Sequence, residues 1–561
     1  MNNATRDLLE QHFDTAFSAP NGIKKLRELI LTLAMQGKLV PQDPNDPPAS
    51  ELLKEIEAEK KRLVKEGTIK APKLLPVTGK EMPYALPQNW QWVRLGQVCY
   101  YNGRENVSPE SIAPETWLLD LEDIEKNTSQ LLYRAKYAER QSKSAKSTFQ
   151  KGDVLYGKLR PYLDKVLVAD TDGVCTTEIV PIVPLMVMDS RFLRWLLKRH
   201  AFLAHVNSLM YGVKMPRLGT QDAVESIHPL PPLPEQHRIV AKIDQLMARC
   251  DALENFQKAR DKKRLATHAA ALAQLLETTD NGSADAWAFI SEHFCDLYAV
   301  KENVVQLRKA VLQLAVMGRL VLQDPTDPPA SALLKEIEAE KKRLVKDGKI
   351  KAPKALPEIK PAEVPYALPQ GWEWVRLGDI ASKITDGDHK TPPRISAGSR
   401  LFSAKNVRDG YLDFDNCDFI SQQHYLKSRE RCCPDTGDLL IVSVGGTIGR
   451  TSLVPDDSDF ALVRSVALIK PLLFSSAYLK HAMNSNLLQD SIHARKRGGA
   501  QPCLYLSEIE KFIFSLPPLR EQHRIVAKID QLMALCDTLD ECIANATGKK
   551  TELLNAVMAH V

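Results

Sequence analysis

The sequence predicts an α/β protein in which two mixed α/β domains are joined by a pair of long antiparallel coiled-coil helices with internal pseudo-two-fold symmetry. A stretch at residues 230–254, LPPLPEQHRIVAKIDQLMARCDALE, returns at residues 516–540 with 21 of 25 positions identical. Both copies show heptad spacing of apolar residues. The segments that precede the two copies are rich in short β-prone runs, yet their interiors share little sequence.

Each repeated stretch is expected to form a long helix with one apolar side. Because the two apolar sides are nearly identical, the expected cover for each copy is the other copy, related by an internal two-fold axis. The alternative is two amphipathic helices, each packed on its own domain. The predicted seam residues are Ile239, Ile243, Leu246, Cys250 and Leu253 in the first copy, and Ile525, Ile529, Leu532, Cys536 and Leu539 in the second.

A shorter amphipathic helix is predicted near the start of each half. Apolar residues recur at helical spacing over residues 23–33 and again over residues 304–314. Gly37 and Gly318 follow these stretches and are placed to end the helices in the left-handed conformation. The duplication therefore extends well beyond the long helices.

A charged helix follows in each half. It lies in DPNDPPASELLKEIEAEKKRLVKEG from residue 43 and in DPTDPPASALLKEIEAEKKRLVKDG from residue 324. The prolines exclude a helix before Ser50 and Ser331, and these serines are candidate N-caps. Its mixed charges favour a solvated surface over a phosphate-binding one.

The α/β domains begin at WQWVRLG and WEWVRLG, and each contains a helical stretch, from residue 191 or from residue 476. Residues 278–285, TTDNGSAD, are expected to form a flexible joint between the halves. The predicted divisions are residues 1–82, an N-terminal helical segment and linker; 83–230, the first α/β domain; 231–364, the central long helix, joint, second helical segment and linker; 365–516, the second α/β domain; and 517–561, the C-terminal long helix.

Composition narrows the class of protein. The hydrophobic fraction of 44% and the charged fraction of 26% are those of a soluble globular chain, and 561 residues are too many for one core. The net charge is only +5, so nucleic-acid binding would have to come from local clusters of cations. The ten cysteines show no metal-ligand spacing, and no signal peptide or membrane-spanning stretch is evident. We expect a cytoplasmic protein that binds no membrane.

Three motifs resemble catalytic or phosphate-binding sites, but each lacks residues that such a site needs. Asp46-Pro47-Pro48-Ala49 and its second copy lack the aromatic residue that stacks on a flipped base in amino-methyltransferases. The Gly-rich run 445–451 lacks the lysine and glycine spacing of a phosphate-binding loop. Pro434-Asp435 with Asp438 lacks the remaining residues of a nuclease cluster. We expect no active site, no metal and no cofactor in this chain, and a structural role for the histidines of the repeated helices.

Clusters of basic and polar residues are the remaining candidates, and they suit double-stranded DNA. Arginine and lysine bind phosphate oxygens and guanine, and glutamine pairs with adenine. Each residue alone is an ordinary exposed cation, but clusters in both α/β domains favour a nucleic-acid interface. The candidate DNA-binding residues are Lys143, Lys146, Lys158, Arg160, Tyr162, Lys214 and Arg217 in the first domain, and His389, Lys390, Lys405, Arg408, Thr447, Arg450, Arg495, Lys496, Arg497 and Gln501 in the second.

These features resemble the specificity (S) subunits of type I restriction-modification enzymes over nearly the whole chain. The resemblance rests on the duplicated LPPLxEQHRIVAKID, the W-x-W-V-R-L-G that opens each domain, and the runs GDVLYGKLRPYLDKVLVAD, TDGDHKTP and GDLLIVSVGGTIGRT. It implies that each α/β domain is a target recognition domain that reads one half of a bipartite DNA sequence. The paired helices would then set the distance between the two halves.

The resemblance also implies catalytic partners. Two modification (M) subunits would carry S-adenosylmethionine and methylate adenine, and restriction (R) subunits would cleave DNA with ATP and Mg. The chain itself would be a non-catalytic subunit. A coiled-coil adaptor that joins proteins without reading DNA, and a methyltransferase in its own right, remain the alternatives.

Overall fold

The chain folds as two compact units, each of which contains one α/β domain. A computed structural model describes residues 11–66, 74–140, 144–185, 188–209, 216–278, 281–498 and 501–559. Unit 1 comprises residues 1–259 and 546–561, and unit 2 comprises residues 260–545. The boundary between the units therefore falls within each of the two long helices.

In unit 1 two helices precede a domain of short strands and helices, and the first long helix follows it. Residues 11–17 are also helical. The elements are α1 (Gly22–Met35), α2 (Ala49–Lys65), β1 (Gln91–Arg94), α3 (Leu95–Val98), β2 (Cys99–Tyr101), β3 (Asn106–Val107), β4 (Trp117–Leu119), β5 (Ala135–Lys136), β6 (Lys146–Phe149), β7 (Val154–Gly157), β8 (Val166–Val168), β9 (Gly173–Cys175), β10 (Ile179–Pro184), α4 (Ser190–Lys198), α5 (His200–Leu209), α6 (Thr220–Glu225), β11 (Ile227–Leu230) and α7 (Leu233–Glu277).

Unit 2 repeats this order after two further helices. Its elements are α8 (Asn281–Glu292), α9 (Phe294–Leu297), α10 (Lys301–Val316), α11 (Ala330–Lys346), β12 (Glu373–Arg376), α12 (Leu377–Ile380), β13 (Ala381–Asp386), β14 (Ser399–Phe402), β15 (Asp418–Ile420), α13 (Gln422–Arg431), β16 (Leu439–Val442), β17 (Thr451–Leu453), β18 (Ala461–Leu462), β19 (Val466–Pro471), α14 (Ser476–Met483), α15 (Asn486–Arg495), α16 (Leu506–Ile509), β20 (Ile513–Leu516) and α17 (Leu519–Ala559).

The two α/β domains share a frame of sheets despite their unlike sequences. A four-stranded sheet has the order β2-β10-β7-β8 in the first domain and β13-β19-β16-β17 in the second. The strand that opens each domain pairs antiparallel with the strand that closes it, β1 with β11 and β12 with β20. The inserted sheets differ, with five strands (β3-β6-β9-β4-β5) in the first domain and three (β15-β14-β18) in the second. The frame is therefore common to both domains, and the insertions distinguish them.

Both repeated stretches form long helices, α7 of 45 residues and α17 of 41 residues. The residues that pack against their seams differ from those that the sequence predicts. Ile239, Ile243 and Cys250 are buried in one cluster with residues of α1, and Leu246 and Leu253 pack against that cluster. The helix that precedes the domain in the same half supplies the cover that we had assigned to the other copy, because α1 has an apolar side of its own.

The second seam is divided between two clusters of unit 2. Ile525, Ile529 and Leu532 pack with residues of α10 and of the second domain. Cys536 and Leu539 pack with α10 as well and with the last turns of α7, at Ala271, Leu272 and Leu275. The end of α17 contributes Leu554 to a cluster of unit 1 with Phe17 and Leu29.

The N-caps of the two charged helices are not the serines that the sequence suggests. α2 and α11 begin one residue before Ser50 and Ser331, with Pro48 and Pro329 as N-caps and no capping side chain. The amides of the first residues donate to Asn89 O at 2.9 Å and to Gly371 O at 2.8 Å, so the chain that leads into each domain replaces the cap. The charged surface is also not wholly solvated, because Lys341 is buried and donates to Gly378 O at 2.8 Å.

Two further expectations differ from the structure. The predicted joint 278–285 contains the start of α8, whose helix begins at Asn281. The helical stretch of each domain is two helices, α4 with α5 and α14 with α15. Among the described residues, no helix is both long enough and apolar enough to cross a membrane.

Candidate nucleic-acid interface

Two loops of equal length and unrelated sequence occupy the same place in the two domains. Loop L1 (residues 158–165) joins β7 to β8, and loop L2 (residues 443–450) joins β16 to β17. Each closes with the same backbone bond, from Gly157 N–H to Lys165 O at 3.0 Å and from Val442 N–H to Arg450 O at 2.9 Å. L2, which contains most of the Gly-rich run 445–451, is therefore a hairpin turn between two strands.

The backbones of L1 and L2 turn at the same two positions. The third residues, Arg160 and Gly445, have φ values of 50° and 104°, and the seventh residues, Asp164 and Gly449, have φ values of 51° and 95°. Positive φ is easy for glycine and unfavourable for arginine and aspartate. The first domain thus has non-glycine residues at positive φ where the second has glycine. Contacts with neighbouring residues must therefore stabilise the backbone conformation of L1.

Each loop is joined to the basic segment that precedes the short helix α6 or α16. Leu218 N–H donates to Lys158 O at 3.1 Å, and Leu504 N–H donates to Ser443 O at 2.8 Å. Arg160 N–H also donates to Pro216 O at 2.8 Å. Two clusters that are far apart in the sequence of each domain therefore meet at one place.

Three of the candidate residues in the first domain are displayed in L1. Arg160 and Tyr162 are exposed, Tyr162 by 47%, and Lys158 is half-buried. Arg160 has no side-chain partner within the described part of the chain, and the charge of Lys158 contributes to the lowered pKa of the Glu178 carboxyl without a hydrogen bond to it. Their donors are available to phosphate oxygens or base edges.

Two other candidates in the first domain are engaged within the protein. Lys146 is only 2% exposed, its Nζ donates to Ser144 O and Oγ at 2.8 Å, and burial lowers its pKa. Its assignment to DNA is wrong because strand β6 directs it inward. Arg217 makes a two-pronged ion pair with Glu178, at 2.8 and 3.0 Å, which lowers the pKa of that carboxyl. Lys143 and Lys214 lie outside the described residues.

In the second domain several loops converge on the turn 463–465. Arg464 N–H donates to Asp388 O at 3.0 Å, which joins the turn to the loop that carries His389 and Lys390. Ser443 of L2 donates its hydroxyl to Arg464 O at 3.2 Å, and Ala404 N–H donates to Ser465 Oγ at 3.1 Å. The loop that carries Lys405 and Arg408 is therefore part of the same cluster.

Most cations of the second domain lie beside a carboxylate. His389 Nε2 is 3.0 Å from Asp386 and accepts from Arg431 at 2.9 Å. Five further candidates form ion pairs: Lys405 with Asp418 at 2.9 Å, Arg408 with Asp413 at 3.3 Å, Arg450 with Asp409 at 3.7 Å, and Arg495 and Arg497 with Glu508 at 3.2 and 3.9 Å. These pairs are part-exposed and hold the side chains in place without neutralising the whole surface.

The remaining candidates are more exposed. Lys390, Lys496, Arg497 and Gln501 are exposed, and Thr447 is half-buried at the fifth position of L2, where L1 has Tyr162. Arg497 is joined to Cys503 by two backbone bonds of 2.8 and 2.9 Å, which connect its loop to L2. Residues 496–498 and 501–503 thus lie beside L2, to which Pro502 O is joined by the Gly445 N–H at 3.0 Å.

Sequence reasoning missed Arg464. It is exposed, it lies at the centre of the converging loops, and it has no side-chain partner among the residues that the structure describes. The available signal was a single arginine that interrupts the apolar run ALVRSVALIK. It belongs with the candidate recognition residues.

The motifs that suggested catalysis have structural partners. Asp46 forms an ion pair with Arg238 at 2.6 Å, and Asp327 pairs with Arg524 at 2.7 Å. Asp435 and Asp438 both accept from Lys470, at 2.6 and 2.5 Å. In the part of the chain that the structure describes, no group of three or more His, Cys, Asp or Glu side chains could hold a metal ion.

Part of the chain matches the model of a known protein family. A model of the family described as "Type I restriction modification DNA specificity domain" matches residues 369–546. A chain from a solved structure concerned with complex assembly and conformational transition of the type I R-M system has a TM-score of 0.50, with 21% identity, and covers 85% of this chain and 98% of its own. That likeness concerns the fold.

Two relatives extend the match to nearly the full length. The type I restriction enzyme EcoAI specificity subunit of Escherichia coli is 36% identical, over 95% of this chain and 92% of its own. The EcoEI specificity subunit of the same organism is 32% identical, over 96% and 93%. The chain therefore belongs to the family of type I restriction enzyme specificity subunits.

Proposed function

We propose that this chain is the non-catalytic DNA sequence-recognition subunit of a type I restriction-modification complex and reads an asymmetric, bipartite target in double-stranded DNA. The observation that carries the proposal is the pair L1 and L2. One backbone frame holds them in both domains, while their side chains differ at almost every position. Two domains built alike but displaying different donors suit two different half-sites.

We further propose that α7 and α17 pair as an antiparallel coiled coil about a pseudo-two-fold axis and act as a ruler. In this arrangement α1 covers the first seam, and the last turns of α7 pack against Cys536 and Leu539 of α17. A helix of 45 residues is about 68 Å long. That length suffices to hold two recognition domains on major-groove surfaces one helical turn of DNA apart, about 34 Å. The near-identity of residues 230–254 and 516–540, which include the first part of each helix, supports equivalent placement of the domains.

The repeated frame also suits two copies of one partner. Two modification subunits would bind the equivalent surfaces, carry S-adenosylmethionine and flip one adenine out of each half-site for methylation. Restriction subunits would supply ATP- and Mg-dependent translocation and cleavage. Such a complex would act in the cytoplasm in defence against phage.

The decisive experiment is to map methylated adenines in DNA from cells that express this chain together with its modification subunit. The proposal predicts one asymmetric motif of two short parts separated by a fixed gap, with a methylated adenine in each part. Cells with the modification subunit alone are the control and should lack that motif. A map without a bipartite motif would reject the proposal.

The alternatives give different results in vitro. A coiled-coil adaptor would join partners, yet the assembled complex would show no salt-dependent DNA binding. A methyltransferase in its own right would bind S-adenosylmethionine as the purified chain.

A further inference from the structure

Lys198, at the end of α4, has a buried ammonium group with four acceptors. Its side chain is 5% exposed. The Nζ atom donates to Asp164 Oδ2 at 2.7 Å, to Asn127 O and Ser129 Oγ at 2.8 Å each, and to Asp164 O at 3.2 Å. Burial lowers the pKa of Lys198, and it raises the pKa of Asp164 to about 6 although the ammonium acts against this shift.

These acceptors belong to L1 and to the segment that supports it. Asp164 is the seventh residue of L1, at a φ of 51°. Asn127 N–H donates to Leu163 O at 3.0 Å, and Ser129 donates its hydroxyl to Asp164 O at 2.8 Å. Lys198 therefore binds both the loop and its support at a single point, where the backbone conformation is unfavourable for aspartate.

The helix that carries Lys198 is itself fixed to the frame of unit 1. Asp189 caps α4 by accepting from Phe192 N–H at 2.8 Å, and its own N–H donates to Gln236 of α7 at 3.0 Å. Trp195 donates to Asp244 of α7 at 3.2 Å. A continuous series of contacts thus runs from the long helix through α4 to L1.

The second domain has a neutral side chain at the position of Lys198. Ser475 and Gln522 repeat the contact of Asp189 with Gln236, and nine residues beyond Ser475 the position of Lys198 is taken by Asn484. Asn484 donates to Thr451 Oγ1 at 2.8 Å. The seventh residue of L2 is Gly449, which adopts positive φ without an ion pair.

We propose that Lys198 is a positioning residue for recognition of one DNA half-site: it holds L1 so that Arg160 and Tyr162 are presented to the bases or phosphates of that half-site. This inference rests on the proposed function and adds a residue that does not itself touch DNA. Buried ion pairs often contribute little to stability, so a role in fixing loop geometry accounts for the presence of this buried pair.

The test measures DNA discrimination by the complex assembled with modification subunits. Binding to the mapped target is compared with binding to duplexes altered in one half-site or in the other. In the double variant Lys198→Met/Asp164→Asn, discrimination at one half-site should fall about tenfold or more, while discrimination at the other is unchanged. Lys198→Met alone leaves Asp164 buried without its cation, so the double variant keeps the test independent of that effect.

Two matched variants sharpen the result. Tyr162→Ala should lower discrimination at the same half-site as the double variant. Asn484→Ala, at the equivalent position of the second domain, should leave that half-site unaffected. Equal loss at both half-sites, no loss at either, or loss at a half-site that Tyr162→Ala does not affect would overturn the inference. A wild-type complex that discriminates at neither half-site would instead refute the proposed function.

Discussion

The indole Nε1 of Trp90 donates a hydrogen bond of 2.9 Å to the buried carboxylate of Glu235, and Trp372 donates to Glu521 at 3.0 Å in the second half. Each contact joins the opening of an α/β domain to the first turn of the long helix that follows it. Burial raises the pKa of Glu235, although the hydrogen bonds from Trp90 and Gln42 oppose this shift. Each of these hydrogen bonds thus fixes an α/β domain directly to the long helix that follows it.

Replacement of Glu235 by alanine should destabilise the protein by about 2 kcal/mol. The substitution leaves the buried Trp90 N–H without its acceptor and removes one of the two acceptors of the Gln42 amide. Chemical denaturation of Glu235→Ala measures the change, and Glu521→Ala should give a similar value. Arg249→Ala, an exposed substitution on the same helix, should stay within about 0.5 kcal/mol of wild type. An equal effect of Arg249→Ala would contradict the assigned role of the pair.

Replacement of Arg160 by alanine should weaken specific DNA binding by about tenfold or more, because an exposed guanidinium at the turn of L1 is removed. Arg495→Ala should weaken binding less, since Glu508 already accepts from Arg495. The measurement is equilibrium binding by the assembled complex over a series of salt concentrations. Lys136→Ala, which removes an exposed cation that pairs with Glu115, is the control in the same domain. Unchanged binding by both arginine variants would remove the assigned interface.

Replacement of His228 by phenylalanine should make the protein less sensitive to acid. His228 is fully buried in β11, and burial, together with the positive charge of Arg199, holds its pKa well below 6.5. Below pH 6.5 the unfolded chain therefore binds a proton that the folded chain excludes, and stability falls by up to about 1.4 kcal/mol per pH unit. Phe514 occupies the equivalent position of β20, so the frame accommodates the larger ring.

Denaturation of His228→Phe at pH 7.5, 6.5 and 5.5 tests this expectation. The difference in stability between the variant and wild type should move in favour of the variant as the pH falls. His237→Gln, at an exposed histidine of α7, should show the wild-type dependence. A constant difference across the three pH values would show that His228 does not contribute.

Insertion of one helical turn after Glu254 should change the spacer of the methylated motif. Four residues add about 6 Å to α7, which corresponds to roughly two base pairs at 3.4 Å each. The insertion follows the ion pairs of Arg27 with Asp251 and Glu254, so the packing of α1 is retained. Adenine methylation mapping gives the spacer directly. Replacement of residues 255–258 without a change of length is the control. An unaltered motif in the insertion variant would refute the proposal that the length of α7 sets the spacer.

In the candidate interface, the exposure of some side chains could be predicted from the sequence and that of others could not. Clusters of cations identified the loops, and Arg160 and Tyr162 are displayed there. Sequence could not show that Lys146 points inward from β6 or that Glu178 already accepts from Arg217, because both depend on neighbours distant along the chain. Arg464 was missed for the same reason, since its position at the meeting of four loops is set by contacts with Asp388 and Ser443.

The sequence by itself was enough to identify the duplication, the long helices and the family, because near-identical repeats and heptad spacing can be recognised without a structure. Only the tertiary structure decided what covers the seam from Ile239 to Leu253, since α1 and the other long helix each have an apolar side and α1 is the one that packs against it. It also decided that L1 and L2 are equivalent. Backbone hydrogen bonds and positive φ values define that equivalence, and they are compatible with side chains that share no recognisable sequence.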